Sequence, residues 1–277
     1  MADVGAWRLV FRVSTALALI AGLLLFVGAT RTDDYFSWTI EPPQTAAFLG
    51  AAYWSAAVLF TWASAQRRWE RLRIAVFPEL TVAVLLLVAT YMHLDKFHDD
   101  LFGYFWVAAY GIAAPVLIYL VAATRAGGGG GEGPRLPMPG WLRAALVAQA
   151  AVFAFYGAGL FVSPSGLDGA WPWALTPLTA RAIAAFLLGF AVAAAIAVRA
   201  DCMRRFRGAA LTYATLGALQ LLGAALHSSD FSGDASLPLF ALFFATVLAV
   251  GAAGSLLGRE ARRSAQASRS RSASSGS

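Results

Sequence analysis

Hydrophobic residues fall into eight long blocks along the chain, separated by short polar stretches. A helix needs about 20 apolar residues to cross a hydrocarbon core about 30 Å thick, and in lipid its backbone amides must be hydrogen-bonded within the segment. The pattern therefore predicts an all-α, polytopic integral membrane protein with eight transmembrane helices. The predicted spans cover about residues 9–29, 44–65, 74–93, 103–123, 141–162, 178–198, 209–227 and 237–257.

Composition agrees with a membrane protein and excludes several kinds of chemistry. Of the 277 residues, 59% are hydrophobic and 13% are charged, whereas a soluble domain has about 25% charged residues. The single cysteine, Cys202, excludes an internal disulfide and any cysteine-based metal or redox motif. No P-loop, GxGxxG, GxSxG or HExxH motif stands in a suitable context, so nucleotide-dependent and serine-dependent reactions have no support.

The second half of the chain repeats the first. Related residues are 135 positions apart at first and 134 positions apart after a slip of one residue. The pairs include Phe26 with Phe161, Asp33 with Asp168, Trp38 with Trp173, Pro43 with Pro177, and His93 with His227. A long repeat indicates one structural unit used twice. Because each half has an even number of spans, we expect two parallel four-helix repeats related by a pseudo-twofold axis along the membrane normal.

The repeat divides the chain into four segments. The first four-helix repeat covers residues 1–125 and the second covers 141–258. Between them, residues 126–140 are rich in Gly and Pro, which predicts a flexible linker. Residues 259–277 are polar, small and basic, which predicts a disordered tail. We expect this Ser/Arg tail to be solvated rather than to bind nucleic acid.

The basic residues predict the orientation of the spans. Eighteen of the 21 Lys and Arg residues fall on the side of the two termini, and Arg31, Lys96 and Arg181 fall on the other. Cytoplasmic segments carry an excess of Lys and Arg. We therefore expect a multi-pass protein of the cell membrane with both termini cytoplasmic. The first block is expected to be a retained helix rather than a cleaved signal peptide, because it is too long and belongs to the repeat.

The three histidines lie on the predicted outer side, where they are candidate ligands. His93 and His227 end the third span of each half, so the repeat places them at the same depth. Facing each other, they could bind one metal or supply both axial ligands of a haem, with His98 as a further metal ligand. The alternative is that these histidines only hydrogen-bond loop backbone in the polar interface.

Two further repeated pairs lie on the same side. Asp33 and Asp168 precede aromatic residues in each half, and two carboxylates held close together can do acid–base work; solvated loop residues are the alternative. Trp38 and Trp173 are expected either in an aromatic belt at the headgroup level or at the lip of an outward-facing cavity. Together with the histidines, these residues form the candidate outer-face site.

Glu79 is the one acidic residue within a predicted span, and an ionisable group at membrane depth is a functional candidate. Its repeat position is occupied by Tyr213, so any role is confined to the first half. Two interpretations stay open. Glu79 pairs with Arg71 or Arg73 near the cytoplasmic face, or it forms a proton or cation site.

These observations leave three functions open. The first is a small transporter or channel-like protein with an outward-facing site between the repeats, which would bind a small solute or ion. The second is a membrane redox protein that binds haem or metal through His93 and His227. The third is a scaffold whose basic loops bind lipid or a partner. The sequence leaves the cofactor, the oligomeric state and any enzymatic activity open.

Overall fold

The computed structural model describes the backbone of residues 4–124, 136–167 and 169–274, with side chains as far as Arg259 apart from Arg204. Within these residues the fold is all-helical, with eight helices long and apolar enough to cross a membrane by length and composition. They are α1 (Val4–Gly22), α2 (Pro43–Ser64), α3 (Trp69–Met92), α4 (Leu101–Ala123), α5 (Gly140–Val162), α6 (Pro177–Ala200), α7 (Met203–Leu226) and α8 (Ser236–Ser274). The predicted all-α fold with eight long apolar helices is confirmed.

Several helix ends differ from the predicted spans, and α1 and α7 begin about five residues earlier than predicted. A π-helical segment, Leu23–Val27, extends α1. Helix α3 begins at Trp69 rather than near residue 74, because polar residues at its start continue the helical turn. Helix α8 has a helical backbone as far as Ser274, where a disordered tail was predicted from residue 259. Most of the predicted linker, residues 125–135, lies outside the described residues.

Local sequence explains where several helices begin. Thr176 precedes α6 and forms a capping box with Thr179, while Pro177 occupies the first helical position. A proline there loses no hydrogen bond, because the first amides of a helix have no helical partner. Asp100 starts α4 in another way, since its side chain accepts a hydrogen bond from the amide of Gly103 at 2.9 Å.

Four helices form the centre of the fold and four lie at its edge. Helix α2 packs on α7 and α3 packs on α6, and these contacts join the first half of the chain to the second. Helix α1 packs on α2, and α5 packs on α6. Much of the buried surface of α2 and α6 is alanine. Small residues let helix backbones approach closely in lipid, so the two halves pack closely against each other.

Loops connect the helices at two ends, which we name by position. The terminal face carries the start of α1, the α2–α3 turn, the end of α4, and the α6–α7 turn. The opposite face carries residues 28–42, 93–100, 163–167, 169–176 and 227–235. At the terminal face, Trp7 Nε1 donates to Thr124 Oγ1 at 3.0 Å, and this bond joins α1 to the end of α4.

Two aromatic clusters lie at the opposite face, one in each half. The first aromatic cluster consists of Phe36, Trp38, Phe97, Trp106 and Tyr110, and the second of Trp171, Trp173, Phe231, Phe240 and Phe244. Trp38 and Trp173 are central, with three neighbouring ring centroids each at 4.8–5.5 Å. The residues paired by the sequence repeat therefore make matching ring contacts.

Candidate functional site

Trp38 and Trp173 lie inside the protein rather than at its rim. Their exposed fractions are 3% and 1%. Trp173 Nε1 donates to Thr45 Oγ1 of α2 at 2.8 Å, so this ring fastens a loop of the second half to the first half. The expectation of an exposed belt or lip is wrong for these two rings. The loops fold back over the helix ends, and that folding buries the rings.

His98 stabilises a loop through both of its ring nitrogens. Its Nδ1 lies 3.0 Å from the carbonyl oxygen of Phe36, and its Nε2 lies 3.1 Å from the hydroxyl of Thr39. The backbone amide of His98 also donates to the carbonyl of Ser37 at 2.9 Å. These contacts hold the α3–α4 connection against the segment that carries Trp38, and they occupy both potential ligand atoms.

His93 pairs with an arginine of the other half. Its Nε2 lies 2.8 Å from Arg181 Nη1. Because the guanidinium is a donor only, this nitrogen accepts the hydrogen bond. Burial and the nearby positive charge of Arg181 lower the pKa of His93 below its usual value. His227 is half-buried at the matching end of α7, where Ala47 takes the repeat position of Arg181.

These contacts bear on the predicted metal or haem site. Among the described residues, no group of three or more His, Cys, Asp and Glu side chains is placed to hold a metal ion. The Nε2 of His93 is engaged by a cation, and His98 uses both nitrogens on neighbouring protein atoms. Hydrogen bonding to loop backbone, the alternative, describes the contact of His98 with Phe36, whereas His93 contacts the side chain of Arg181 on α6.

Asp33 is exposed and lines a recess at the opposite face. The recess lies between the segment before α2 and the second-half loops, and Glu41, Thr176 and Asp230 also line it. Asp230 accepts a hydrogen bond from the backbone amide of Gln44 at 2.8 Å, which ties the start of α2 to the second half. Asp168 lies outside the described residues, so the predicted pairing with Asp33 stays a prediction.

Glu79 lies near the middle of α3, ten residues after Trp69 and thirteen before Met92. One carboxyl oxygen accepts a hydrogen bond from the hydroxyl of Ser14 on α1. The other oxygen is buried and has no hydrogen-bond partner among the described residues. The interpretation that Glu79 pairs with Arg71 or Arg73 is therefore wrong: its partner comes from another helix, near mid-span.

Glu79 lines a cavity of about 240 Å³ in the first half. Helices α1 to α4 form most of the walls, and residues of α6 and α7 close the side toward the second half. Most lining residues are apolar. A second polar pair lies in the wall, where the hydroxyls of Tyr53 and Tyr110 are 2.7 Å apart. No Lys, Arg or His and no second carboxyl group is among the described residues that line the cavity.

The cavity opens sideways between α1 and α4. Its lining includes Leu17 and Ile20 of α1, with exposed fractions of 40% and 56%, and Phe105 of α4, with 55%. These exposed apolar side chains are on the surface that contacts lipid if the helices span a bilayer. At the terminal face the opening is bounded by the bond between Trp7 and Thr124.

Sequence reasoning found Glu79 but missed the other polar residues of this cavity. Ser14, Tyr53 and Tyr110 are ordinary within apolar helices, and no motif marks them. One signal was present in the repeat itself, because their second-half counterparts are Gln149, Leu187 and Phe244. The cavity residues are positions at which the two halves differ.

Comparison with protein-family models, with curated proteins and with solved structures finds no match to this chain. The functional conclusion therefore depends on the cavity and its chemistry.

Proposed function

We propose that this chain is a membrane transport protein that takes a mainly apolar small molecule from the bilayer into the cavity of its first half. One observation carries the proposal: the cavity reaches exposed apolar side chains of α1 and α4, and it holds a carboxyl oxygen of Glu79 that has no partner among the described residues. Ligand sites are typically apolar hollows with a few polar groups that fix orientation. An acidic group at membrane depth is costly and marks a functional position.

The proposed site lies within the first half, whereas the sequence led us to expect a site between the two halves. The contact of α2 with α7 is closely packed and is crossed by polar bonds, such as that from Gln220 Nε2 to the carbonyl of Phe48 at 3.0 Å. Such a contact favours a rigid interface between the halves over a path for a solute. A redox role through His93 and His227 has no comparable support, because the described contact of His93 is with Arg181.

The proposal includes the arrangement of the helices as two parallel repeats and their orientation in the membrane. Matching aromatic clusters in both halves support two parallel four-helix repeats, and the arginine distribution supports cytoplasmic termini in the cell membrane. In a Cys202→Ser background, an impermeant thiol reagent applied to intact cells should label Asp34→Cys and leave Arg67→Cys unlabelled. The reverse pattern would overturn the orientation.

The function is tested by filling the cavity. Ala18 and Ala109 line it, and their repeat positions hold Phe153 and Phe243. In neutral detergent, an uncharged aryl diazirine should label α1 and α4 of the purified protein on irradiation, and excess isobutylbenzene should suppress the labelling. The double variant Ala18→Phe/Ala109→Phe should lose this competable labelling, since the added rings occupy the hollow.

The matched control is Ala16→Phe/Ala108→Phe, which adds rings on exposed positions of the same two helices. This variant should keep the competable labelling. The proposal fails if labelling of α1 and α4 cannot be competed, or if both double variants behave alike. Peptide mapping by mass spectrometry separates cavity labelling from general labelling of the lipid-facing surface.

A further inference from the structure

We infer that the molecule bound in this cavity is a small lipophilic cation, a protonated amine with an apolar body, for which Glu79 is the counter-ion. The inference rests on the proposed function and names the chemical class of its ligand. It follows from the charges that line the cavity, from the free hydrogen-bonding capacity of Glu79, and from the rings and the volume around it.

The charges of the cavity exclude an anion. Glu79 is the single carboxyl group among the described lining residues, and no basic side chain is there to compensate it. An ionised carboxylate is stabilised by a positive charge within a few ångströms, and this stabilisation is large where water is scarce. The described lining residues supply no cation, so a cationic ligand is the partner that would stabilise the ionised carboxylate. A fatty acid or an anionic lipid headgroup would find no positive charge there.

The hydrogen bonds of Glu79 leave one acceptor free. Ser14 donates to one oxygen, so that oxygen is oriented and partly neutralised. The second oxygen is buried without a partner. A buried acceptor left unpaired costs free energy that a donor recovers. An ammonium N–H provides both the donor and the charge, and such charge-assisted bonds are stronger than neutral ones.

Aromatic rings in the walls of the cavity suit a cation. Phe60 of α2, Tyr110 of α4, Phe190 of α6 and Tyr213 of α7 all line the cavity. The face of an aromatic ring attracts a cation within about 6 Å of its centroid. The volume limits the size, because apolar cavities of about 150 Å³ hold one benzene molecule. A cavity of about 240 Å³ therefore fits a ring with a short ammonium substituent.

The repeat positions of the second half hold aromatic rings in place of the small residue and the carboxyl group of the first half. Where Phe153 fills the position of Ala18, Tyr213 occupies the position of Glu79. Ring centroids of Phe153 and Tyr213 are 6.2 Å apart, so these two side chains pack on each other, and Tyr213 also lines the cavity of the first half. The acid therefore occurs at a position that lines the cavity, and a packed ring occupies its repeat position.

The test compares three ligands of similar size on the purified full chain in neutral detergent. Dimethylbenzylammonium is the cation, isobutylbenzene is its uncharged carbon isostere, and phenylpropanoate is an anion. We expect the cation to bind with higher affinity than the isostere and the anion not to bind. Glu79→Gln keeps the shape and the bond with Ser14 but removes the charge. It should weaken cation binding at least about tenfold and leave binding of isobutylbenzene unchanged.

The outcomes separate this inference from the function on which it rests. If isobutylbenzene binds as well as the cation and Glu79→Gln changes neither, the cation inference is overturned while an apolar binding cavity stands. If neither ligand binds, both fail. Cation binding that survives Ala18→Phe/Ala109→Phe would place it elsewhere and would also overturn the inference. Retained thermal stability of Glu79→Gln shows that a lost affinity is not a loss of folding.

Discussion

The two halves of the chain share an aromatic cluster at the same end of their helices, yet the cavity lies in the first half. In the second half, Phe153 packs on Tyr213 and Phe243, with ring centroids 6.2 and 5.3 Å apart. The corresponding residues of the first half are Ala18, Glu79 and Ala109, and all three line the cavity. The two halves therefore share the aromatic contacts at the ends of their helices, whereas the side chains at deeper repeat positions differ in size and charge.

The spacing of the third and fourth helices also differs between the two halves, because the side chains at their contact differ in size. Helices α7 and α8 pack closely along their length, whereas α3 and α4 meet over a shorter stretch. Gly217 and Gly251 lie at the α7–α8 contact, where an added Cβ would approach backbone atoms of Leu248 and Ala214 within 2.5 and 2.2 Å. Their first-half counterparts are Ala83 and Leu117, and both line the cavity. Larger side chains hold α4 away from α3.

The largest expected effect comes from removing the ring that fills the second half. Phe153 is 1% exposed, and Phe153→Ala should lower the free energy of unfolding by about 3–5 kcal/mol because it leaves a cavity. Phe155 on the same helix is 64% exposed, so Phe155→Ala is the matched control with little loss. Denaturant titration in mixed micelles measures both. Equal losses in the two variants would show that Phe153 does not hold the second half closed.

A smaller effect is expected from separating α7 and α8. Gly251→Ala forces a methyl group against the backbone of α7 and should lower the free energy of unfolding by about 1–3 kcal/mol. At Gly111 of α4, nothing lies within 4 Å of an added Cβ. Gly111→Ala should therefore be neutral or raise stability by up to about 1 kcal/mol, the gain in helix propensity. Thermal unfolding of both variants decides this, and a matching response would refute the difference in spacing.

The smallest effect distinguishes the two repeated histidines by pH. Burial and Arg181 lower the pKa of His93, so the unfolded chain binds a proton more readily than the folded chain. The contribution of His93 to the free energy of unfolding is therefore fully present above the usual histidine pKa of about 6.5 and is lost as the pH falls below that value.

His93→Gln should remove this part of the pH dependence, since the glutamine side chain can still accept a hydrogen bond from Arg181. His227→Gln, the matched control, should retain it, and unfolding at about pH 5.5 and 7.5 tests both variants. An unchanged pH dependence in His93→Gln would contradict the assignment.

The sequence predicted the helices well because each one depends on its own residues. Eight apolar blocks became eight helices, and Thr176-Pro177 begins α6 as its capping chemistry requires. The sequence also identified Glu79 as the acid within a span. The interpretation that an arginine of the same helix is its partner was wrong, because Ser14 is distant in the chain and becomes a neighbour only when α1 and α3 line the same cavity.

The burial of Trp38 and Trp173 could not be predicted from the sequence, because it also depends on contacts between segments that are distant in the chain. A tryptophan beside a span has the same composition signal at a headgroup interface as in a packed cluster. The choice depends on whether the following loop folds back over it, as the bonds of His98 to residues 36–39 show for the first half.

The sequence by itself determined the class of the protein and the number of its long apolar helices, because in lipid each helix must satisfy its own backbone. It also located Glu79 as an acidic residue within a predicted span. Only the tertiary structure decided that this residue lines a cavity in the first half and that rings pack on one another at the repeat positions of the second. The cavity depends on the combined volume of side chains from several helices, and no single segment of the chain contains that quantity.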